Sequence, residues 1–401
     1  MRIFHHIEIT KTGMGLSGGE TCLLGLVQEL RKYGHNIVYT SENGVAVYKK
    51  NGADSADIEY VIIGKYEVEA KHGILASWFY KTWLARRHVV QLDGENEHVL
   101  ISHSDFFPSV LFASWMKKRN PAMKWFAICH MLAPNPFKGN KWQFVKGKII
   151  WPSLRGVYFW LSQRLFFRLQ RQADLLISVN SKYKTYLQTK NPHLAIIVYS
   201  ADSEVKTFAR GRERPVEQKY DLCFLGRFHE QKGVFEFVDV VSRIVQNGRP
   251  NFRGVMIGDY KNPLGDAVKE RITQLNLVQN IEMVGLKMGV DKCIILSQSK
   301  VFLFPSYYES FGIVYLEAIT LGIPVVEYDL PIYHDHTAGV VKVPYLDNDA
   351  MARAVTMLLD NPVRREQLAE EGRAYASTFD WSTAVETILE TIRSAGNEEL
   401  H

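Results

Sequence analysis

Two glutamates stand eight residues apart in Pro305-Ser-Tyr-Tyr-Glu309-Ser310-Phe311-Gly312-Ile-Val-Tyr-Leu-Glu317. On a helix that spacing is about 2.2 turns, which puts both carboxylates near one face. If the helix begins at Ser310, Glu309 lies at its mouth, and the amides of Ser310, Phe311 and Gly312 face outward at its positive end. A carboxylate beside an anion-binding helix end suits a ligand that offers hydroxyls, such as a sugar at Glu309 and a ribose at Glu317. The plainer reading is one helix-start carboxylate and one exposed glutamate. Glu317, however, is flanked by Leu316 and Ala318 in an apolar run, where a carboxylate calls for a partner.

A second constellation is Gly226-Arg227-Phe-His-Glu-Gln-Lys232-Gly233. Two cations on one turn that enters a helix can converge on a diphosphate, with the helix amides adding to the same place. The alternative is a solvated Arg and Lys. A third is the glycine-rich stretch Gly13-Met-Gly-Leu-Ser-Gly18-Gly19-Glu20. Gly18 and Gly19 would let backbone amides approach an anion at a helix start. The spacing is a poor match to a dinucleotide fingerprint, and no acidic residue closes the following strand in the expected way.

The elements that must position these residues are those of an α/β protein. Arg2–Ile9 reads as an apolar strand, 21–33 as a helix stopped by Gly34, and His35–Thr40 as the next strand. Short apolar strands follow at Tyr60–Ile63, Val99–Ser102, Trp125–Cys129 and Leu175–Val179, the pattern of a parallel sheet buried on both faces. Near 200–219 the texture turns polar, with Ala209-Arg-Gly-Arg-Glu-Arg-Pro215 read as a linker. A second series then runs from a strand at Asp221–Leu225 through helices at 234–246, 269–275, 310–321, 347–359, 364–378 and 382–394. The expected domains are 1–205 with 382–401 added, and 206–381. In doubly wound sheets ligands bind at the carboxyl ends of the strands, here expected in a cleft between the halves.

Composition narrows the function classes. The chain has 401 residues, 46% hydrophobic and 23% charged, values of a soluble globular protein. Its four cysteines, Cys22, Cys129, Cys223 and Cys293, lie far apart without metal-ligand spacing, which fits a reducing compartment. The start of the chain lacks the apolar stretch and cleavage site of a signal peptide. No apolar run reaches the roughly 18 residues of a membrane span. A cytoplasmic location is expected. The net charge of +5 hides an asymmetry: between Asp105 and Asp174 stand twelve Lys and Arg and no acidic residue, interleaved with Trp and Phe. That pattern suits an anionic membrane surface. Nucleic acid is not expected, because no binding motif accompanies the charge, and a core of aromatics with a solvated cationic rim is the plainer alternative. Asp347-Asn-Asp349 reads as a helix cap rather than a metal site.

In chain order, Gly18-Gly19, Gly226-Arg227…Lys232-Gly233, Ile257-Gly258-Asp259, Val284-Gly285 and the Glu-x7-Glu element resemble retaining glycosyltransferases of the family 4 type with the GT-B fold. The resemblance covers nearly the whole chain and is strongest from 221 to 330. It implies two facing Rossmann-like domains with an interdomain cleft, and a last helix that crosses back to the N-terminal domain after Phe379-Asp380-Trp381. It implies that Arg227 and Lys232 hold the donor diphosphate and stabilise it as it leaves. Glu309 would bind the donor sugar, Ser310, Phe311 and Gly312 the sugar or phosphate, and Glu317 the ribose. Gly18 and Gly19 would approach the phosphate and acceptor, and His130 matches the family's active-site histidine, with His103 a weaker candidate. The implied reaction is hexosyl transfer with retention from a nucleotide-sugar donor, with no metal or other cofactor. The basic segment 106–173 points to a glycan or lipid-linked acceptor at the inner face of the cell membrane, as in surface polysaccharide or glycolipid synthesis. A nucleotide-sugar epimerase on the same fold and a non-catalytic nucleotide-sugar-binding subunit are the alternatives. Two features depart from the family pattern: Tyr199-Ser-Ala-Asp202 stands where an Asn-Gly pair is usual, and 138–160 is longer and more basic.

Overall fold

The computed structural model describes residues 1–7, 18–64, 67–93, 97–133, 135, 154–197, 199–211 and 216–398. Gly13 and Gly15, all of 136–153 in the basic segment, and 212–215 of the expected linker lie outside the described residues. The chain packs into two compact units, one of 1–199 with 381–401 and one of 200–380.

The first unit alternates strand and helix: β1 (Arg2–His6), α1 (Gly18–Leu30), β2 (His35–Thr40), α2 (Glu42–Lys50), β3 (Ile58–Ile62), α3 (Glu67–Arg87), β4 (His98–Ser102), α4 (Phe107–Arg119), β5 (Lys124–Cys129), α5 (Leu154–Leu169), β6 (Leu175–Ser178), α6 (Lys184–Gln188) and β7 (Leu194–Ile196). Its seven strands lie in the order β3-β2-β1-β4-β5-β6-β7, and all pairs are parallel. One face carries a core of Leu23, Leu24, Val27, Val47 and Tyr48 from α1 and α2. The other carries Val110, Phe112, Met116, Trp125 and Phe166. A sheet covered on both faces needs strands apolar on both sides, and every residue of β4 is buried.

The second unit holds α7 (Ser203–Arg210), β8 (Tyr220–Leu225), α8 (Val234–Gln246), β9 (Gly254–Ile257), α9 (Pro263–Gln274), β10 (Ile281–Gly285), α10 (Gly289–Ser297), β11 (Ser299–Phe304), α11 (Ile313–Thr320), β12 (Val325–Tyr328), β13 (Val340–Val343), α12 (Asn348–Asp360) and α13 (Pro362–Ala376). The sheet order is β10-β9-β8-β11-β12-β13, again parallel throughout. Both sheets are thus the doubly wound Rossmann-like kind, with the order reversing at β1/β4 and at β8/β11. Residues 200–205 join the second unit because α7 packs on α10 and α11.

The final helix, α14 (Trp381–Glu398), returns to the first unit, where it packs on α1 and β7. A β-carbon at Gly25 of α1 would stand 2.1 Å from the Trp381 ring, so only glycine lets the indole lie flat there. Asp347 caps α12 by accepting from the Ala350 amide at 2.7 Å, and Asp349 pairs with Arg243 at 2.9 Å.

Candidate active site

In the second sheet the strand order reverses between β8 and β11, and both strands end in the segments singled out by sequence. Leaving β8, the chain turns through Gly226–Gly233, and leaving β11 it runs through Pro305–Gly312. The turn closes because Gly233 adopts φ 71. A β-carbon there would stand 2.2 Å from the Pro305 carbonyl oxygen, so glycine is required on both counts. Gln231 fastens the two segments further: the Tyr307 amide donates to its carbonyl at 2.9 Å, and its side-chain amide donates to the Tyr308 carbonyl. Lys232 and Glu309 form an ion pair across the same seam, both largely buried. Arg227 is exposed at the start of the turn.

The start of α11 differs from the expectation. The helix begins at Ile313, not Ser310, with Gly312 as its left-handed cap at φ 89. The cause lies below the loop. His336 donates from Nε2 to the Phe311 carbonyl at 2.7 Å, which takes that oxygen out of the helical ladder. Its Nδ1 meets Glu327 Oε2 at 2.7 Å, and its ring stacks on Tyr315 with centroids 3.8 Å apart. Glu309 therefore lies ahead of the helix, in the loop that it shares with Ser310. Phe311 and Gly312 are buried, Phe311 among the core residues.

Glu317 does have a partner. Lys292 of α10 donates to it at 2.7 Å, both side chains are about nine-tenths buried, and Lys292 also stands 3.5 Å from Asp202, the cap of α7. Burial by itself would lower the Lys292 pKa, but Glu317 and Asp202 outweigh it and the net shift is upward. The two glutamates eight residues apart are thus held by two different lysines. Sequence reasoning found Lys232 on its own motif but missed Lys292 and His336. The apolar surroundings of Glu317 were the signal that some cation had to come.

In the first unit the strand ends at the reversal point β1/β4, and on β5 beside it, gather histidines. Gly18 and Gly19 form the first turn of α1 rather than a loop ahead of it, and a β-carbon at Gly19 would lie 3.4 Å from His130 Nε2. His130 Nε2 donates to the His103 carbonyl at 3.0 Å. Since a carbonyl only accepts, Nδ1 of the neutral ring accepts from the Tyr199 hydroxyl at 2.6 Å. Burial lowers the His130 pKa to about 4, partly opposed by the bond to His103. His103 donates in turn to His5 Nδ1 at 3.0 Å, and His5 Nε2 donates to Asn36 Oδ1 at 2.8 Å.

Residues 205–375 match the family model described as "Glycosyl transferases group 1"; that span contains Arg227, Lys232, Glu309 and Glu317. Alpha-D-kanosaminyltransferase of Streptomyces kanamyceticus is 29% identical over 202 residues, 49% of this chain and 51% of that protein. Phosphatidyl-myo-inositol mannosyltransferase of Mycobacterium leprae is 30% identical over 186 residues, 44% of this chain and 48% of that protein. The chain thus spans about half the length of these relatives. HepE of Anabaena, solved with UDP and glucose, superposes with a TM-score of 0.68 at 15% identity, over 98% of this chain and 99% of that one. Residues 205–375 are thus similar to group 1 glycosyl transferases, and the fold is that of GT-B structures such as HepE.

Proposed function

We propose that the protein is a retaining glycosyltransferase of the family 4 type that moves a sugar from a nucleotide-diphosphate donor to an acceptor hydroxyl. The observation that carries this reading is the seam at the ends of β8 and β11, where Lys232 and Glu309 form an ion pair and Arg227 is exposed on the same turn. A donor exchanges that pair. Its diphosphate takes Lys232 and Arg227 as charge-assisted partners, and the freed Glu309 carboxylate accepts from hydroxyls of the sugar. Glu317, paired with Lys292, takes the ribose hydroxyls. The acceptor oxygen bonds to the anomeric carbon on the face that the diphosphate leaves. The carbon–oxygen bond to phosphate breaks with its electrons on the phosphate, and that oxygen takes the acceptor proton. Lys232 and Arg227 stabilise the departing charge, so the chemistry calls for no metal. His130, neutral and held by Tyr199 and His103, serves as a fixed ring on the acceptor side next to Gly18 and Gly19.

The acceptor is a glycan or lipid-linked glycan close to the inner face of a membrane. The mycobacterial relative's name, a phosphatidyl-myo-inositol mannosyltransferase, and the acid-free basic segment support that class. The four cysteines are buried and free, in keeping with a cytoplasmic site of action.

The test is a thermal shift against uridine, guanosine and adenosine diphosphates and their sugars. A ligand at 100 times its Kd adds about 2.7 kcal/mol. One nucleotide family should raise the melting temperature, and Lys232→Ala should abolish the rise. No shift with any of them counts against the donor site. Incubation of donor alone, which an epimerase would convert and a transferase would not, separates the two activities.

A further inference from the structure

The cationic pattern of the first unit extends beyond the segment that announced it. No acidic residue occurs between Glu69 and Asp93, nor between Asp105 and Asp174. The first interval holds nearly all of α3, and the second holds α4 and α5. These helices are neighbours, since α3 packs on α4 and α4 on α5. Beneath their surface the ring of Trp78 of α3 packs, tilted by 32°, on Tyr158 of α5 with centroids 3.7 Å apart. After a kink at Gly73, the outward stripe of α3 recurs at helical spacing and carries Phe79, Tyr80, Trp83, Arg86 and Arg87. Phe79 is 76% exposed and Trp83 48%, far more than folding of the unit requires of aromatic side chains. The Arg87 guanidinium lies 3.9 Å from the centre of the Trp83 ring. On α5 the pattern repeats: Arg164 stands 3.7 Å over Trp160 next to exposed Leu161.

We propose that α3 and α5 together form a docking face for an anionic lipid bilayer, with Phe79 and Trp83 entering the headgroup layer and Arg86, Arg87 and Arg164 meeting lipid phosphate. Rings that carry arginines place both groups at one depth, where acyl boundary and phosphate meet. The three helices hold two carboxylates, Glu67 and Glu69, both in α3 ahead of the kink at Gly73, which leaves α3 from Phe79 onward, α4 and α5 with none to repel an anionic surface. Among the described residues no helix is long and apolar enough to cross a membrane; the proposed contact is made by the surface of α3 and α5. The inference deepens the membrane-proximal acceptor of the proposed function and rests on that reading for its use. Vesicle binding itself requires neither donor nor transfer.

The experiment is co-sedimentation of the full chain with vesicles of phosphatidylglycerol and phosphatidylcholine, and with phosphatidylcholine alone. Binding is expected to the anionic vesicles and to weaken as salt is raised. F79S/W83S should lose binding, and R86Q/R87Q should weaken it roughly thirtyfold, at about 1 kcal/mol for each charge. Both variants should keep the parent melting curve and thermal response to nucleotide. No binding to anionic vesicles, or binding that both variants leave intact, overturns the proposal. So does size-exclusion chromatography in which F79S/W83S breaks a dimer while vesicle binding persists, or an oligonucleotide that binds this face in preference to vesicles. Vesicle binding without any sugar transfer would instead overturn the proposed function and leave the docking face standing.

Discussion

Lys292 is the residue through which Glu317 is tied to α7, and its loss has two separable effects. Removing one partner of a buried ion pair leaves an uncompensated charge and destabilises a protein by about 3–5 kcal/mol. Lys292→Met is therefore expected to lower the melting temperature by several degrees. Lys292→Met with Glu317→Gln removes both charges and should recover much of that stability. Nucleotide affinity should stay low in the double variant, because the ribose partner is gone. Melting curves and nucleotide titrations of the three proteins check this, and an unchanged melting temperature in Lys292→Met would sink it. His336 acts on the same region from beneath. His336→Ala frees the Phe311 carbonyl and is expected to raise the donor KM more than it lowers kcat, since the loop shape is lost while Lys232 remains.

At the scale of elements, the ends of β1, β4 and β5 bring together three buried histidines, His5, His6 and His103, and the half-buried His130. Burial is the main cause that lowers His5 to about 4, His6 to about 3 and His130 to about 4, with His103 pushed well below its ordinary value. In the unfolded chain these rings titrate near 6.5. Because each folded pKa is depressed, the unfolded state binds protons first, and stability falls as pH drops from about 6.5 toward 4. Asp105, raised to about 6 by burial with Gln163 opposing, works the other way below pH 6, but it is one group against four. Urea midpoints measured from pH 7.5 to 4.5 should fall steadily, and a flat profile would contradict the buried, neutral cluster. The contact between α1 and α14 predicts a second element-scale effect. Gly25→Val drives a branched side chain into Trp381, so the last helix must leave its seat, with a loss of at least 1–3 kcal/mol. A melting temperature equal to the parent's would mean that α14 is not seated there.

Over the whole molecule, each unit owns a sheet, a reversal point and its own core. The donor-side groups Arg227, Lys232, Glu309 and Glu317 all belong to residues 200–380. Nucleotide should therefore slow amide exchange first in the turn after β8, the loop after β11 and the start of α11, and much less in the sheet of the first unit. Protection confined to the first unit would place the donor elsewhere. If the proposed chemistry is metal-free, a chelator such as EDTA leaves the transfer rate unchanged, and a rate that collapses and returns with added Mg²⁺ would refute that part of the mechanism.

Much of the architecture was written locally. Short apolar strands and the helix at 234–246 follow from composition and periodicity, and Gly226–Gly233 announced its turn through two glycines and two cations; the polar stretch from 209 did not mark the boundary, which falls at 199/200, because Ala209 and Arg210 end α7. Helices α2 to α5 were not legible in that way. In α4 small or apolar side chains are buried on most sides, and in α3 exposed aromatics occupy the stripe that polar residues usually mark, so no clean 3.6-residue alternation survives. The strands β7 and β13, three and four residues long, are too short to show a period. What only the tertiary structure decided is pairing at a distance: Lys232 with Glu309, Lys292 with Glu317, His336 beneath Phe311 and Tyr199 on His130. Residue type indicates that a buried charge or ring nitrogen must be met, but the partner that meets it depends on which strand ends the sheet order brings side by side.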